Sequence, residues 1–282
     1  MNKEFAVFIM VHGRPSRMKT YETLRKQGYT GKIYCVADNL DKTLDEYKSI
    51  YGDDLLVFDK KKAAKKMDSG DNSGDLRSTL YSANTIFELA EEHGIKHFFI
   101  MCDDYDWFGY KFDSMLRYKD NKVKNLDKVF TYLLDFYVNT PIKTVAFAQG
   151  GDFMGGNKSS YAKEIQLKRK AMNTFLCSTE RPFQFIGRLN EDVTTYVNLG
   201  SKGYLFFTIP NIMINQAATM QVKGGLTDVY LEYGTYVKSF MSLMYNPSCV
   251  KISELGHTHK RIHHRINWRK AVPRIINQKH KK

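Results

Sequence analysis

A short apolar stretch that ends abruptly in carboxylates is the central feature of this sequence. Residues 97–102 read HFFIMC and are followed by Asp103, Asp104 and, after one residue, Asp106. In an open α/β sheet the ligand crevice lies beyond the carboxyl ends of the strands. Carboxylates this close repel one another unless a cation or a shared proton neutralises them. The stretch therefore predicts a buried strand that carries acids to a ligand site, with an exposed acidic turn as the alternative interpretation.

Strand and helix patterns alternate along the first hundred residues. Strand patterns occupy residues 5–11, 32–37 and 55–58. Helix patterns occupy residues 16–24, 44–51 and 78–93. Between them, residues 60–75 are polar and charged and are expected to form a loop. Strands separated by helices pack into a largely parallel sheet through right-handed crossovers, so the pattern predicts an α/β fold.

The pattern changes beyond residue 106. A helix is expected over residues 126–138 and a strand over 144–148. The segment 149–157 reads QGGDFMGGN, and its glycines allow the backbone to approach a ligand closely. Residues 181–236 mix strand and helix patterns and are expected to form an acceptor-binding half.

Composition and charge narrow the class of protein. Hydrophobic residues make up 43% of the chain, which is typical of a folded globular protein. The net charge of +13, concentrated in residues 258–282, indicates a polyanionic partner or only a solvated tail. The sequence lacks a signal-peptide pattern and an apolar stretch of about 20 residues, and its four cysteines form no zinc pattern. We therefore expect a cytoplasmic protein without membrane segments.

Several side chains follow the proposed strands and converge on one edge of the sheet. Arg14 follows the first strand, Asp38 the second and Asp103 a later one, and Arg77 precedes the helix before the acidic strand. An arginine there can contact a nucleobase carbonyl or a phosphate with its planar fork. An aspartate there can accept a hydrogen bond from a base or a ribose. Each residue alone fits an ordinary surface position, so the shared location carries the prediction.

The acidic turn has the chemistry of a metal site. Hard oxygen ligands favour Mg²⁺ or Mn²⁺ bridging to substrate phosphates. Asp104 and Asp106 are the candidate carboxylate ligands. His257 and His259 alternate as on a strand and are candidates to complete the metal shell, although a basic histidine-rich surface is equally consistent.

A second acidic cluster provides a candidate base. Glu191 and Asp192 follow an apolar stretch at 183–187. Removing a proton from an acceptor hydroxyl requires a positioned carboxylate, and Asp192 is the first candidate with Glu191 second. The alternative is an acid pair in the first turn of a helix capped by Asn190, and both interpretations can hold together.

The C-terminal region supplies a candidate acceptor surface. Arg261, Arg265 and Arg269 recur every four residues, which predicts one helical face able to hold phosphates or DNA backbone, and Trp268 lies beside them. Aromatic side chains after the acidic turn are candidates for base stacking, with core packing as the favoured interpretation: Tyr105, Trp107, Phe108 and Tyr110.

Taken together, these motifs resemble a GT-A glycosyltransferase, and more narrowly the TET-associated glycosyltransferase family. That family is related to the base J glucosyltransferases and is mostly encoded by phages. The resemblance rests on HGRP at 12–15, CDDY at 102–105, AFAQGGDFMGG at 146–156, FIGRLNEDVTTY at 185–196 and HRINWRKAVPRII at 264–276.

The resemblance implies a GT-A-like fold and a sugar transfer from a nucleotide-sugar, expected to be a UDP-sugar, to a hydroxymethylated pyrimidine in DNA, such as 5-hydroxymethylcytosine. It also implies a Mn²⁺ or Mg²⁺ cofactor. Under it, Asp38 and Arg77 hold the uridine, Asp103 the ribose and Asp104 the metal, and Asp192 acts as base. Gln149, Gly150 and Gly151 would lie near the donor sugar or the acceptor. The motif DDYD leaves open whether Asp104 pairs with Asp103 or with Asp106 at the metal.

Under the same resemblance we expect one GT-A-like catalytic domain over residues 1–282. Residues 1–107 would bind the nucleotide-sugar, 108–256 would form the acceptor half, and 257–282 would be a basic C-terminal segment. A protein or saccharide acceptor is an alternative, and so is nucleotidyl transfer, which also uses paired aspartates and Mg²⁺. A non-enzymatic DNA-binding protein fits less well, since two acidic clusters would weaken a phosphate-binding surface.

Overall fold

The strand and helix patterns of the first hundred residues form the elements expected of them. The computed structural model describes residues 2–149, 168, 170–216, 226–256 and 260–273. The first eight elements are β1 (Phe5–Met10), α1 (Lys19–Lys26), β2 (Lys32–Asp38), α2 (Leu44–Tyr51), β3 (Leu55–Phe58), α3 (Lys60–Ala64), α4 (Leu80–Glu92) and β4 (His97–Cys102). Both faces of β1 and β4 are covered, so β1 is apolar throughout and β4 is apolar after His97.

The remaining elements mix antiparallel strands with helices. They are β5 (Tyr105–Phe112), β6 (Tyr118–Lys122), α5 (Leu126–Val138), β7 (Thr144–Gln149), β8 (Phe175–Ser178), α6 (Glu191–Ser201), β9 (Phe206–Gln216), α7 (Leu226–Tyr233), α8 (Val237–Tyr245), β10 (Val250–Leu255), β11 (Arg261–Ile266) and α9 (Trp268–Ala271). The division expected after residue 107, between the two halves of a single domain, lies inside β5.

One sheet combines nine of the described strands in the order β3-β2-β1-β4-β8-β7-β9-β5-β6. The first four strands are parallel, β8 runs antiparallel to both of its neighbours, and β7 and β9 are parallel. β5 runs antiparallel to β9 and β6. The predicted α/β class is confirmed, with a central sheet whose N-terminal part is fully parallel.

Two hydrophobic cores cover the two faces of this sheet. Alternate residues of β1 face opposite ways, so Phe8 packs in one core and Val7 in the other. Tyr105 and Phe108 are fully buried in the second core, where Phe108 contacts Phe130 edge to face. Core packing is therefore the correct interpretation for these two aromatic residues. Tyr110 on the same strand is 41% exposed.

Local structure departs from the sequence prediction in three places. Residues 15–17 form a 3₁₀ turn, so α1 begins at Lys19 and Ser16 does not cap it. The segment expected to be a loop after residue 60 opens with α3, because the Asp59 side chain accepts a hydrogen bond from the Lys62 amide at 2.9 Å.

The third difference concerns the C-terminal arginines. Arg261 and Arg265 lie on β11, which pairs with β10 in a separate antiparallel hairpin, and Arg269 lies on the short helix α9. The prediction of a single helical face was wrong. Among the described helices, none has the length and apolar character needed to cross a membrane.

Candidate active site

A pocket of about 380 Å³ opens at the carboxyl ends of β1, β2 and β4. Its volume lies in the range of small-molecule sites, and its place is the ligand crevice of an open α/β sheet. The sequence-predicted residues that line it are Arg14, Asp38, Arg77, Asp103, Asp104, Glu191 and Asp192. Side chains separated by as many as 178 positions in the chain therefore meet around one cavity.

A threonine on α1 fixes the acidic turn between β4 and β5. The Thr20 hydroxyl donates to the Cys102 carbonyl at 2.7 Å and accepts from the Tyr105 amide at 2.9 Å. The Thr20 amide donates to the Asp103 carbonyl at 3.1 Å. Thr20 is fully buried, so these bonds satisfy backbone groups that water does not reach. The two aspartates are thus presented on a rigid turn.

The negative charges of the two carboxylates on that turn are only partly neutralised by neighbouring groups. Arg14 Nη2 donates to Asp103 Oδ1 at 2.8 Å. Asp103 Oδ2 and Asp104 Oδ1 are buried and have no hydrogen-bond partner. Burial raises the pKa of Asp103 to about 6, with Arg14 opposing the rise and Asp104 adding to it. Burial also raises the pKa of Asp104. Orphaned carboxylate oxygens facing a pocket are the arrangement that a bound cation would satisfy.

A charge network surrounds Asp38 at the end of β2. Lys60 Nζ donates to Asp38 Oδ2 at 2.9 Å, and both side chains are buried. His12 Nδ1 lies 3.4 Å from Asp38 Oδ2 and 3.4 Å from Asp41 Oδ2. Burial raises the pKa of Asp38, but the bonds from His12 and Lys60 outweigh it and bring the pKa to about 2. Asp38 is therefore ionised, and half-exposed His12 lines the pocket beside it.

Arg77 lies on the pocket wall and is shared between two acids. Its Nη2 is 2.7 Å from Asp75 Oδ2 and 2.7 Å from Glu232 Oε2. Its Nε also donates to Asp75. The planar fork has five N–H groups, and Nη1 makes no hydrogen bond to a described residue. One edge of this guanidinium therefore remains available to a ligand.

Glu191 and Asp192 begin α6 and line the pocket. The preceding residue, Asn190, has a left-handed backbone (φ 59°), and its amide bonds the Ser242 hydroxyl instead of capping the helix. The expected Asn190 side-chain cap is therefore absent, since that side chain joins α6 to α8. Thr79 donates to the Glu191 carboxylate. Burial first, and then the charge of Asp192, raise the pKa of Glu191, and burial raises that of Asp192.

A lysine that the sequence patterns did not indicate stands opposite these acids. Lys238 on α8 lines the pocket, and its Nζ lies 5.2 Å from the centre of the Tyr230 ring. Burial lowers the pKa of Lys238 and the charge of Asp192 raises it. Lys238 is placed to balance negative charge at this end of the cavity.

Residues 5–225 match the TET-Associated Glycosyltransferase family, which is more than half of the chain. The chain belongs to this family. The resemblance inferred from the motifs is confirmed, and the protein is a glycosyltransferase. No curated protein matches the sequence significantly.

Solved structures similar to this glycosyltransferase are distant in sequence. A mannosyltransferase from Pyrobaculum calidifontis, solved with GDP-Man and Mn²⁺, is 12% identical with a TM-score of 0.49; the match covers 79% of this chain and 58% of that one. Glucosyl-3-phosphoglycerate synthase from Mycobacterium tuberculosis, solved with Mn²⁺, UDP and phosphoglyceric acid, is 9% identical with a TM-score of 0.46; the coverage is 93% and 86%. At these scores the similarities carry no argument about substrate or mechanism.

Other predicted site residues of this glycosyltransferase lie away from the pocket or outside the described residues. Asp106 pairs with Lys19 at 2.7 Å and does not line the cavity. Gln149 ends β7, and its carbonyl accepts from buried Lys111 at 2.7 Å. Trp268 stacks on Tyr196 with ring centres 5.9 Å apart. Gly150, Gly151, His257 and His259 lie outside the described residues.

Proposed function

We propose that this glycosyltransferase is metal-dependent and moves a sugar from a UDP-sugar to the hydroxymethyl group of a modified pyrimidine in DNA. The observation that carries the proposal is the meeting of two carboxylate pairs in one pocket. Asp103 and Asp104 supply hard oxygens at the nucleotide side. Glu191 and Asp192 supply bases at the acceptor side.

The residues at the acidic turn fit a divalent cation. Two orphaned carboxylate oxygens, one on Asp103 and one on Asp104, are available to it. Among the described residues no group of three or more histidine, cysteine and acidic side chains could hold a metal. This agrees with Mg²⁺ or Mn²⁺ sites that use one or two carboxylates together with substrate phosphates. Such a cation would offset the negative charge on the departing diphosphate.

The part of the pocket around Arg14 and Asp38 fits the nucleoside of the donor. Arg14, His12 and the open edge of Arg77 provide N–H donors, and Asp38 provides a carboxylate held ionised by Lys60. Planar donors and a fixed acceptor suit a pyrimidine base and a ribose, which both combine hydrogen-bond donors and acceptors. Because Lys60 and His12 already engage Asp38, we assign His12 and Lys60 to the same donor-binding set.

The reaction requires a proton to leave the acceptor hydroxyl. The Asp192 carboxylate takes that proton as the hydroxymethyl oxygen bonds to the anomeric carbon. The bond from that carbon to the diphosphate oxygen breaks, and the diphosphate leaves with the electron pair. Burial raises the pKa of Asp192, and burial together with the charge of Asp192 raises that of Glu191, so each carboxylate is a stronger base than an exposed one.

A DNA acceptor is supported by charge and by the family. The chain carries a net charge of +13, which favours binding to a polyanion. A base in duplex DNA must leave the stack to reach a pocket of this depth, and flanking cations then hold the phosphates.

Mass spectrometry of nucleosides tests the proposal directly. DNA containing 5-hydroxymethylcytosine or 5-hydroxymethyluracil would be incubated with a panel of UDP-sugars, with Mn²⁺ or with EDTA. The expected result is a metal-dependent mass gain of one sugar on the modified base and release of UDP. UDP release only with protein or saccharide acceptors would overturn the DNA assignment, and pyrophosphate release would indicate nucleotidyl transfer.

A further inference from the structure

The hairpin of β10 and β11 has one face that carries cations without acidic partners. Directly opposite residues on this face are Lys251 with Arg265 and Leu255 with Arg261. Lys251, Arg261 and Arg265 are all exposed. None of the three side chains forms an ion pair with a described acidic residue. Like charges directly opposite on a sheet are destabilising, so this arrangement has no folding benefit.

The other face of the hairpin is engaged with the protein. Val250 and His264 on that face are buried, and α8 packs against both strands. The hairpin's acid, Glu254, pairs with Lys260 at 3.0 Å and so does not neutralise the cationic face. Ser253 and His263, the opposed pair in the middle of the cationic face, are half-buried, whereas Lys251, Arg261 and Arg265 at its two ends are exposed and keep their charges.

The row of charge begins next to the pocket. β11, which carries Arg261, packs against α8, and Lys238 on α8 lines the pocket. From Arg261 to Arg265 the strand advances about 14 Å, at about 3.4 Å per residue. One DNA strand carries a phosphate about every 3.4 Å along the helix axis, so the row spans several phosphates.

We infer that Lys251, Arg261 and Arg265 form a phosphate-binding face that holds the DNA backbone beside the nucleotide entering the pocket. The inference rests on the proposed function for the identity of the acceptor. The paired strands of the hairpin fix the positions of these three residues relative to one another. Contacts of this kind set position and affinity without reading sequence.

Salt dependence of DNA binding tests the inference. The double variant Lys251→Ala/Arg265→Ala is compared with wild type by fluorescence anisotropy of a labelled duplex over a series of salt concentrations. Each lost phosphate contact lowers the slope of log K against log salt by about 1, so we expect a reduction of about 2. Thermal unfolding should be unchanged or shifted upward, since the variant removes a like-charge pair.

A matched control removes the same net charge elsewhere. Lys26→Ala/Lys66→Ala deletes two exposed lysines that pair with Glu22 and Glu88, away from the hairpin. Its salt slope should equal that of wild type. Equal losses in both double variants, or an unchanged slope in Lys251→Ala/Arg265→Ala, would overturn the inference.

The two proposals fail in different ways. If wild-type protein binds duplex through this face but transfers no sugar to it, the proposed function is wrong and the phosphate-binding face stands. If wild type transfers sugar to DNA and the hairpin variant keeps the full salt slope, the face is wrong and the proposed function stands.

Discussion

Arg14 and Asp103 join the turn after β1 to the turn after β4 through a 2.8 Å hydrogen bond between Nη2 and Oδ1. The Asp103 side chain is only 5% exposed and that of Arg14 is 22% exposed. Arg14 therefore partly offsets the negative charge of Asp103, which burial disfavours.

Replacing Arg14 with methionine should destabilise the protein in a pH-dependent way. The pKa of Asp103 rises from 3.8 to about 6 in the folded state. Between pH 3.8 and pH 6 the folded protein therefore binds a proton that the unfolded chain has released. Stability from this group is therefore highest at low pH and falls as pH rises towards neutrality. Without Arg14 the fall should be larger, by about 3 kcal/mol at pH 8.

Urea denaturation at pH 4.5 and pH 8 measures this difference. Arg17→Met is the control, because Arg17 is exposed and forms no ion pair with a described residue. An equal loss of unfolding free energy for Arg14→Met at pH 4.5 and at pH 8 would contradict the role assigned to Arg14.

Replacing Asp104 with asparagine should reduce sugar transfer by about 100-fold or more, because a ligand charge at the metal is lost. The pocket places Asp104 beside Asp103, whereas Asp106 pairs with Lys19 outside it. Asp106→Asn should therefore retain nearly wild-type kcat/KM. Steady-state kinetics with varied Mn²⁺ compares the two variants, and equal losses would favour a metal site that includes Asp106.

Removal of the proposed base should affect kcat far more than donor binding. Asp192→Asn is expected to lower kcat by about 100-fold to 10,000-fold, the usual contribution of a general base. Isothermal titration of UDP with Mn²⁺ should show little change. Wild-type turnover in this variant would show that Asp192 is not the general base and would indicate Glu191 instead.

The acid pair should also set the pH profile of the wild-type enzyme. A base must be deprotonated, so kcat/KM should rise with pH through an apparent pKa above the ordinary glutamate value of 4.5. Thr79 lowers the pKa of Glu191 by donating to it, so Thr79→Val should move the rise to higher pH. Initial rates from pH 5 to pH 9 measure the shift, and a move to lower pH would contradict the coupling.

Breaking the buried ion pair between Lys60 and Asp38 should strongly lower the free energy of unfolding. Lys60→Met leaves an ionised carboxylate without its closest cation, which typically destabilises by about 3–5 kcal/mol. Lys61→Met, an exposed neighbour on α3, should be nearly neutral. The two variants are compared by urea denaturation at neutral pH. Similar small losses for both would show that the pair contributes little.

Much of the parallel half of the sheet follows from the sequence, because its signals are local. Apolar runs closed by polar residues mark β1, β2 and β4, and α5 has the predicted bounds 126–138. The antiparallel insertion of β8 between β4 and β7 is not local. It depends on pairing across the chain, which no short pattern encodes.

The arginines of the C-terminal region show why spacing alone misleads. Residues four apart share a face on a helix, whose period is 3.6, and also on a strand, whose period is 2. The spacing of Arg261 and Arg265 therefore fits both a helix and a strand. Their segment is a strand because it pairs with β10. Lys238 was missed for a related reason. A single lysine in an amphipathic helix looks exposed until tertiary packing places it beside Asp192.

Thr20 restricts the sequence at a position that touches no substrate. Its hydroxyl must donate to the Cys102 carbonyl and accept from the Tyr105 amide at once, from a buried position on α1. Among the natural amino acids only serine and threonine offer both roles on a side chain that short. The acidic turn of this chain is thus constrained by a residue of the neighbouring helix as well as by the chemistry proposed for its aspartates.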